Sequence, residues 1–261
     1  ALLGSQLKFD GRLILQTRSD GPVGFLVVNY DTAGTMRGYA GFDPARLEEK
    51  AARQPRFSEG ELLGNGHLAM TIDQGANMDR YQGIVAMNGG SLSDAALEYF
   101  RASEQLPTYI RLSVARHFAA GRWRWRAGGL MVQHVSAEGG FGTPQEDDLG
   151  HAQSVAGADD DNWRRVEMLA RTVEDHELID PLLMPERLLY RLFHEEGVRA
   201  SLPAPLRMAC RCSRDTVRVF LKGFGVAELA GMMDAGRSVT VTCEFCATPY
   251  LFTEAELKSP D

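Results

Sequence analysis

The chain has 261 residues and a mass of 28.7 kDa, room for two or three small domains more readily than one large core. Hydrophobic residues make up 44% of it, which argues against general disorder. The formal net charge of −7 argues against a chain-wide nucleic-acid or anionic-membrane footprint. No apolar run approaches the roughly 18 residues of a membrane-spanning helix, and no secretory signal opens the chain. A soluble cytoplasmic protein is therefore expected. The chain opens Ala1-Leu2-Leu3 without a methionine, so an amino terminus upstream of Ala1 is also expected.

Residues 1–135 read mainly as strand. Lys8 to Gln16 is largely alternating, Val23 to Tyr30 is a β-branched apolar run, and Asp20-Gly21-Pro22 supplies a turn between them. His67 to Asp73 and Tyr81 to Met87 form a hairpin pattern around Gln74-Gly75-Ala76-Asn77. Tyr109 to Ala115 and Arg122 to Val135 suggest a second pair, with a bulge or bend at Gly128-Gly129. Between the pairs, Ser93 to Arg101 carries a capping serine and apolar residues at 92, 96, 97, 99 and 100, the period of a helix. Strands broken by a helix indicate an α+β fold, with an α/β sandwich-like domain at about 1–138.

The composition then changes. Residues 144–180 hold eleven Asp/Glu and three Arg, a charge of −8 that leaves the rest of the chain at +1. Asp161 to Leu178 has the apolar spacing of an amphipathic helix, at 163, 166, 169, 170 and 173. A second helix is expected to start at Pro185 in its first-turn position, with Leu188, Leu189, Leu192 and Phe193 as its buried stripe. Acidic self-repulsion opposes compaction here, so 139–205 reads as a helical linker of limited intrinsic stability, with a plain solvated acidic surface as the alternative.

All four cysteines fall near the end of the chain: Cys210 and Cys212, then thirty residues, then Cys243 and Cys246. Thiolates spaced by one and by three positions can chelate one ion from two sides, and four of them match the tetrahedral preference of zinc. The 52 residues from 210 to 261 are too few for a core alone to hold a fold with margin. A zinc domain is expected at about 206–261, with Zn2+ as cofactor and Cys210, Cys212, Cys243 and Cys246 as ligands, and two buried or disulfide-linked pairs as the alternative. A closed four-thiolate site has no open position for substrate, so no catalysis is expected there. Metal binding contributes about 10–16 kcal/mol to folding of zinc-finger peptides. A disulfide closing three or four residues contributes only ~1.5–2 kcal/mol, and one across the thirty-residue spacer ~3–4 kcal/mol. Oxidation in either pairing would expel the metal and unfold the segment.

At these residues the sequence resembles the redox-regulated heat-shock chaperones of the thirty-three-kilodalton class, which are bacterial holdases. The resemblance is carried by the two cysteine pairs and by Pro249-Tyr250-Leu251-Phe252. Upstream it extends through Leu7-Lys8-Phe9-Asp10-Gly11, Asp20-Gly21-Pro22, Met36-Arg37-Gly38, Gly64-Asn65-Gly66 and Arg80-Tyr81-Gln82-Gly83. It continues through Tyr99-Phe100, Ser103-Glu104-Gln105-Leu106-Pro107 and Leu192-Phe193-His194-Glu195-Glu196, so that matches run from about residue 1 to 254. The resemblance implies a protein that is zinc-bound and inactive as a chaperone when reduced. Oxidants would form the disulfides Cys210–Cys212 and Cys243–Cys246, with the latter pair as the quicker sensor. The zinc domain and linker would then unfold and hold unfolded client proteins without ATP, and active forms would dimerise. Members of that class carry a further stretch ahead of the segment resembling Leu3 to Gly11. Its absence implies either a trimmed chain or a short member whose sheet lacks a neighbour.

Other patterns carry less. Gly64-Asn65-Gly66-His67 lacks the spacing of a phosphate loop and reads as the start of a strand; His194-Glu195-Glu196 lacks the second histidine of a metalloprotease helix. Trp123 and Trp125 could stack on nucleotides, but a strand face packed on a neighbouring element is the favoured expectation. The stripe at Leu188, Leu189, Leu192 and Phe193 is expected to be ordinary packing that becomes client-binding surface once the linker opens. Two competing readings stay open. A nucleic-acid-binding zinc ribbon would need a basic face around Arg211, Arg214 and Arg218, within a segment of six Lys/Arg and seven Asp/Glu. A thiol–disulfide oxidoreductase would need Cys243-Glu244-Phe245-Cys246 on a βαβ scaffold, where the pattern instead reads strand then turn.

Overall fold

Apolar strands joined by short polar turns pair with their sequence neighbours, and the first third of the chain follows that rule. The computed structural model describes residues 1–6, 10–54, 56–75, 78, 80–104, 106–135 and 154–258. After α1 (Leu2–Gln6) come β1 (Arg12–Ser19), β2 (Phe25–Asp31) and β3 (Thr35–Gly41), then α2 (Pro44–Arg53), α3 (Glu59–Leu63), β4 (Asn65–Asp73) and β5 (Tyr81–Asn88). Further on lies β8 (Arg207–Met208), and the six strands make one sheet in the order β5-β4-β1-β2-β3-β8. Every pairing is antiparallel except β3 with β8, which is parallel.

The core forms where α4 (Leu92–Tyr99) lies on β4 and β5 and also touches β6 (Thr108–Ala119). Leu68, Met70, Val85 and Met87 from the sheet meet Ala95, Ala96 and Tyr99 from the helix and Ile110 from β6. A Cβ on Gly83 would stand 2.2 Å from the Tyr99 ring, so glycine is what lets the helix settle on the sheet. β6 pairs with β7 (Arg122–Gln133) in a long two-stranded hairpin, which gives the α/β sandwich-like layering.

The middle of the chain is helical: α5 (Ser154–Arg171), α6 (Asp175–Ile179) and α7 (Pro185–Phe193). These cover the base of the hairpin, where Tyr109 and Leu130 are buried with Ala170, Val173, Leu188 and Leu192. The hairpin from Thr108 to Gln133 has five arginines and no acidic residue, so it partly neutralises the acidic segment laid on it. Arg111 donates from Nε and Nη2 to Asp175 Oδ1 at 3.0 and 2.9 Å, and Arg126 donates to the Asp180 carbonyl at 3.3 Å. Last come α8 (Arg214–Lys222), α9 (Val226–Met232), the antiparallel pair β9 (Ser238–Thr242) and β10 (Pro249–Thr253), and α10 (Glu254–Lys258).

Several expectations need correction. α4 is capped by Ser91, not Ser93: Ser91 Oγ accepts from the Asp94 N–H while the Asp94 carboxylate accepts from the Ser91 N–H. The helix foreseen over 161–178 stops at Arg171, because Val173 turns inward to 1% exposure and Glu177 caps a new helix at Glu174. No bulge occurs at Gly128-Gly129, since the β6–β7 register runs unbroken from Thr108↔Gln133 to Ala119↔Arg122. Gly128 is there for close approach: a Cβ would lie 1.8 Å from the Leu178 carbonyl oxygen. Trp123 and Trp125 are not buried under a further layer, although Trp123 meets Phe118 of β6 edge to face at 5.6 Å between centroids. They stand 59% and 72% exposed at the far end of the hairpin, with the Arg116 guanidinium 5.2 and 5.8 Å from their ring centroids. Residues 7–9 at the start of the first strand pattern, 76–77 of the first hairpin turn and 144–153 of the acidic segment lie outside the described residues.

Candidate metal centre

Each cysteine pair sits where regular structure has just ended, so the backbone is free to curl around a common point. Cys210 follows β8, whose pairing is extended by the Ala209 N–H donating to the Met36 carbonyl at 3.2 Å. Cys212 directly precedes Ser213, the N-cap of α8, whose hydroxyl accepts from the Thr216 N–H. Cys243 and Cys246 occupy the loop between β9 and β10. That loop is closed by the Cys243 N–H on the Thr248 carbonyl at 3.0 Å and the Ala247 N–H on the Cys243 carbonyl at 2.7 Å. Closing it this tightly puts Ala247 at φ +56, in the left-handed region.

The four Sγ atoms all lie within 4.8 Å of one another. Two separations run across the pairs: Cys210 to Cys243 at 3.6 Å and Cys212 to Cys246 at 3.3 Å. All four are free cysteines. A tetrahedron with zinc–sulfur bonds of 2.3 Å has sulfur–sulfur edges of about 3.8 Å, so this donor set fits one zinc-sized ion with little movement. The protonation pattern points the same way. Burial pushes the Cys210 thiol up, but the Cys212 N–H and the thiols of Cys212, Cys243 and Cys246 outweigh that and bring it down to about 6. The Tyr250 hydroxyl pulls Cys212 down, yet the sulfurs of Cys246, Cys210 and Cys243 leave it raised to about 12. One thiolate is welcome in the cluster and the next is resisted by like charge, which a divalent cation would relieve.

Around the sulfurs, the Tyr250 hydroxyl donates to Cys212 Sγ at 3.1 Å, which raises its own pKa to about 12. Thr248 Oγ1 lies 3.2 Å from Cys246 Sγ and holds that thiol below its ordinary value. Arg37 Nη1 reaches Cys210 Sγ at 3.7 Å from the N-terminal sheet. Sequence reasoning missed all three; Tyr250 had a usable signal, lying four residues past Cys246 in an alternating strand.

Leu188 and Leu192 are buried, and Leu189 and Phe193 pack against the same cluster, so the α7 stripe is covered by the hairpin and α5. His67 lies inside β4. Arg211, Arg214 and Arg218 make no free basic face: each is ion-paired, with Asp31, Glu256 and Asp215 respectively. Cys243 and Cys246 sit in a β-hairpin loop, not at the head of a helix in a βαβ unit. Among the described residues no helix is long and apolar enough to cross a membrane.

A mixed α+β chain with a sheet-rich start, helices in its middle and a terminal cluster defines a protein whose tail gathers four thiols that could hold a metal ion. Comparison with known proteins narrows this. The pattern of the family described as Hsp33 protein matches residues 1–253. A 33 kDa chaperonin of Caulobacter vibrioides is 41% identical over 96% of this chain and 78% of its own length. One of Ectopseudomonas mendocina is 36% identical over 98% of the chain and 77% of its own length. The crystal structure of the 33 kDa chaperonin of Thermotoga maritima superposes with a TM-score of 0.74, at 22% identity, over 98% of this chain and 79% of that one, a likeness of fold. The chain belongs to the Hsp33 family.

Proposed function

We propose that this chain is a redox-regulated, ATP-independent holdase, a chaperone that binds unfolded proteins under oxidative stress and catalyses no reaction. The observation that carries this reading is the four-sulfur cluster, which joins two separate segments of a tail otherwise short of core, in a chain of the Hsp33 family. Cys210, Cys212, Cys243 and Cys246 would hold Zn2+, which when bound supplies the cross-link that such a tail needs.

This chain's residues do the rest. In each close pair, Cys210 with Cys212 and Cys243 with Cys246, one thiolate attacks peroxide and the second displaces hydroxide from the sulfenic sulfur. Two electrons leave the sulfurs, one S–S bond forms, and the peroxide is reduced to water. Sulfurs in disulfides no longer bind the ion as thiolates, so the tail (206–261) opens, followed by the acidic linker (139–205), while the domain at 1–138 persists. Opening α7 would uncover Leu188, Leu189, Leu192 and Phe193 for clients. The oxidised form would dimerise, act in the cytoplasm, and need neither nucleic acid nor membrane.

The test is zinc release beside a client-aggregation assay. Peroxide with mild heat is expected to release about one zinc per chain, as four ligands per ion require, and to suppress aggregation, with reductant reversing the disulfides. Equal suppression by the reduced, zinc-loaded protein would overturn the reading.

A further inference from the structure

The sulfur cluster is not a property of the tail alone, because the N-terminal sheet reaches into it. β3 and β8 pair in parallel, with the Arg207 N–H donating to the Gly34 carbonyl at 2.9 Å, and this delivers Cys210 beside Arg37. Three groups then fix the Arg37 guanidinium. Asn29, its partner across β2 and β3, accepts from Nε and Nη2 at 3.1 Å each when its amide is assigned with the oxygen toward the fork, the orientation that satisfies both groups. Nη1, on the remaining edge, points to Cys210 Sγ at 3.7 Å. The face of the fork covers Phe245, with the guanidinium carbon 4.1 Å from the ring centroid. Phe245 lies between Cys243 and Cys246, and Tyr39 flanks it at 6.3 Å between centroids. Arg211, between the first two cysteines, pairs with Asp31 at the end of β2.

We propose that Arg37 is a positioning residue for the four-sulfur site and sets how readily that site is oxidised, an inference that rests on the metal reading above. It touches both halves of the site, one sulfur of the first pair and the aromatic ring inside the second. A metal-bound thiolate is already deprotonated, so a nearby cation does not make more of it. An N–H donor instead draws electron density from the sulfur, lowers its nucleophilicity toward peroxide and orients it as a ligand. Lysine carries the charge but has no planar fork to satisfy Asn29, Cys210 and Phe245 together.

The experiment uses the full chain, first loaded with zinc and then, separately, with Co2+. Arg37→Met is expected to release zinc about tenfold faster under peroxide, the lower end of the range for residues that support metal ligands. Its sulfur-to-cobalt charge-transfer band should move to lower energy, because the sulfur has lost a hydrogen-bond donor. Arg37→Lys should fall between the two in both readouts. Phe245→Leu leaves the sheet untouched and should speed release with the band unmoved, which keeps the test decisive if Arg37→Met folds poorly. Wild-type release rates in both Arg37→Lys and Phe245→Leu, or an unmoved band in a folded Arg37→Met, would overturn the inference. A wild-type chain that takes up no metal would overturn the metal reading and this inference with it, and metal content measured before oxidant tells that failure apart.

Discussion

Where the N-terminal sheet buries Leu68, Met70, Val85 and Met87 beneath Tyr99 and Ile110 in one continuous cluster, the tail buries Leu221, Val239, Phe252 and Leu257 and then turns to four sulfurs. The sheet's cluster is fed by strands and a helix far apart in sequence, so no single contact decides it. The tail's elements are short, with β9 and β10 of five residues each and α9 of seven, and its two halves meet at one small apolar cluster and at the cysteines. A domain with a broad core is indifferent to redox chemistry, whereas one that substitutes an ion for core becomes sensitive to it. The helical middle stands between these: its Ala170, Val173, Leu188 and Leu192 are buried together with Tyr109 and Leu130 of the hairpin.

Substitutions separate the two regions. Cys246→Ser should have the largest effect, abolishing stoichiometric metal binding and removing amide-exchange protection from α8 to α10 while β1, β2 and β4 stay protected. Loss of protection in the sheet as well would mean that the two regions are one cooperative unit. Phe252→Ala empties a fully buried position and should cost about 3–5 kcal/mol, confined to the tail transition in calorimetry. Leu68→Ala should instead cost about 2–5 kcal/mol in the sheet transition alone. Gly128→Ala forces a methyl against the Leu178 carbonyl and should loosen α6 from the hairpin by about 1–3 kcal/mol, seen as dye binding to apolar surface at lower temperature. Ala247→Gly relieves the left-handed backbone in the cysteine loop and should stabilise the tail by about 1 kcal/mol.

The smallest effect is electrostatic. The Thr253 N–H, then Arg214, hold the Glu256 carboxyl at about 2, below its ordinary 4.5. A depressed carboxyl stabilises the fold above about 4.5 and loses that contribution as pH falls toward 2. Acid melts of the tail should therefore flatten over this window in Glu256→Gln, and an unchanged pH profile would show the contact to be idle.

Much of the site and part of the fold were legible in the sequence because their signals are local. The paired cysteines, the two N-terminal hairpins and the Pro185 helix start are all written in a few adjacent residues. β3 was missed because Thr35 to Gly41, with glycines at 38 and 41, reads as loop until β2 pairs with it. α2 buries no residue and so lacks an apolar stripe, although Asp43-Pro44 announces its start. α3 had a readable capping box in Ser58 and Glu61. The exposure of Trp123 and Trp125 depends on how far the hairpin outruns the layers that cover its base, which no local pattern encodes. Nor does any local pattern join Arg37 to Phe245, which come together through long-range contacts such as the β3–β8 pairing.

The most direct measurement is amide exchange on the full chain, loaded with zinc and then treated with peroxide. Residues 214–258 should then exchange at the rate of an unfolded chain while β1, β2 and β4 keep their protection, and reductant with zinc should restore the tail. A tail that stays protected with its cysteines oxidised and its zinc gone would contradict the dependence of this region on its four sulfurs.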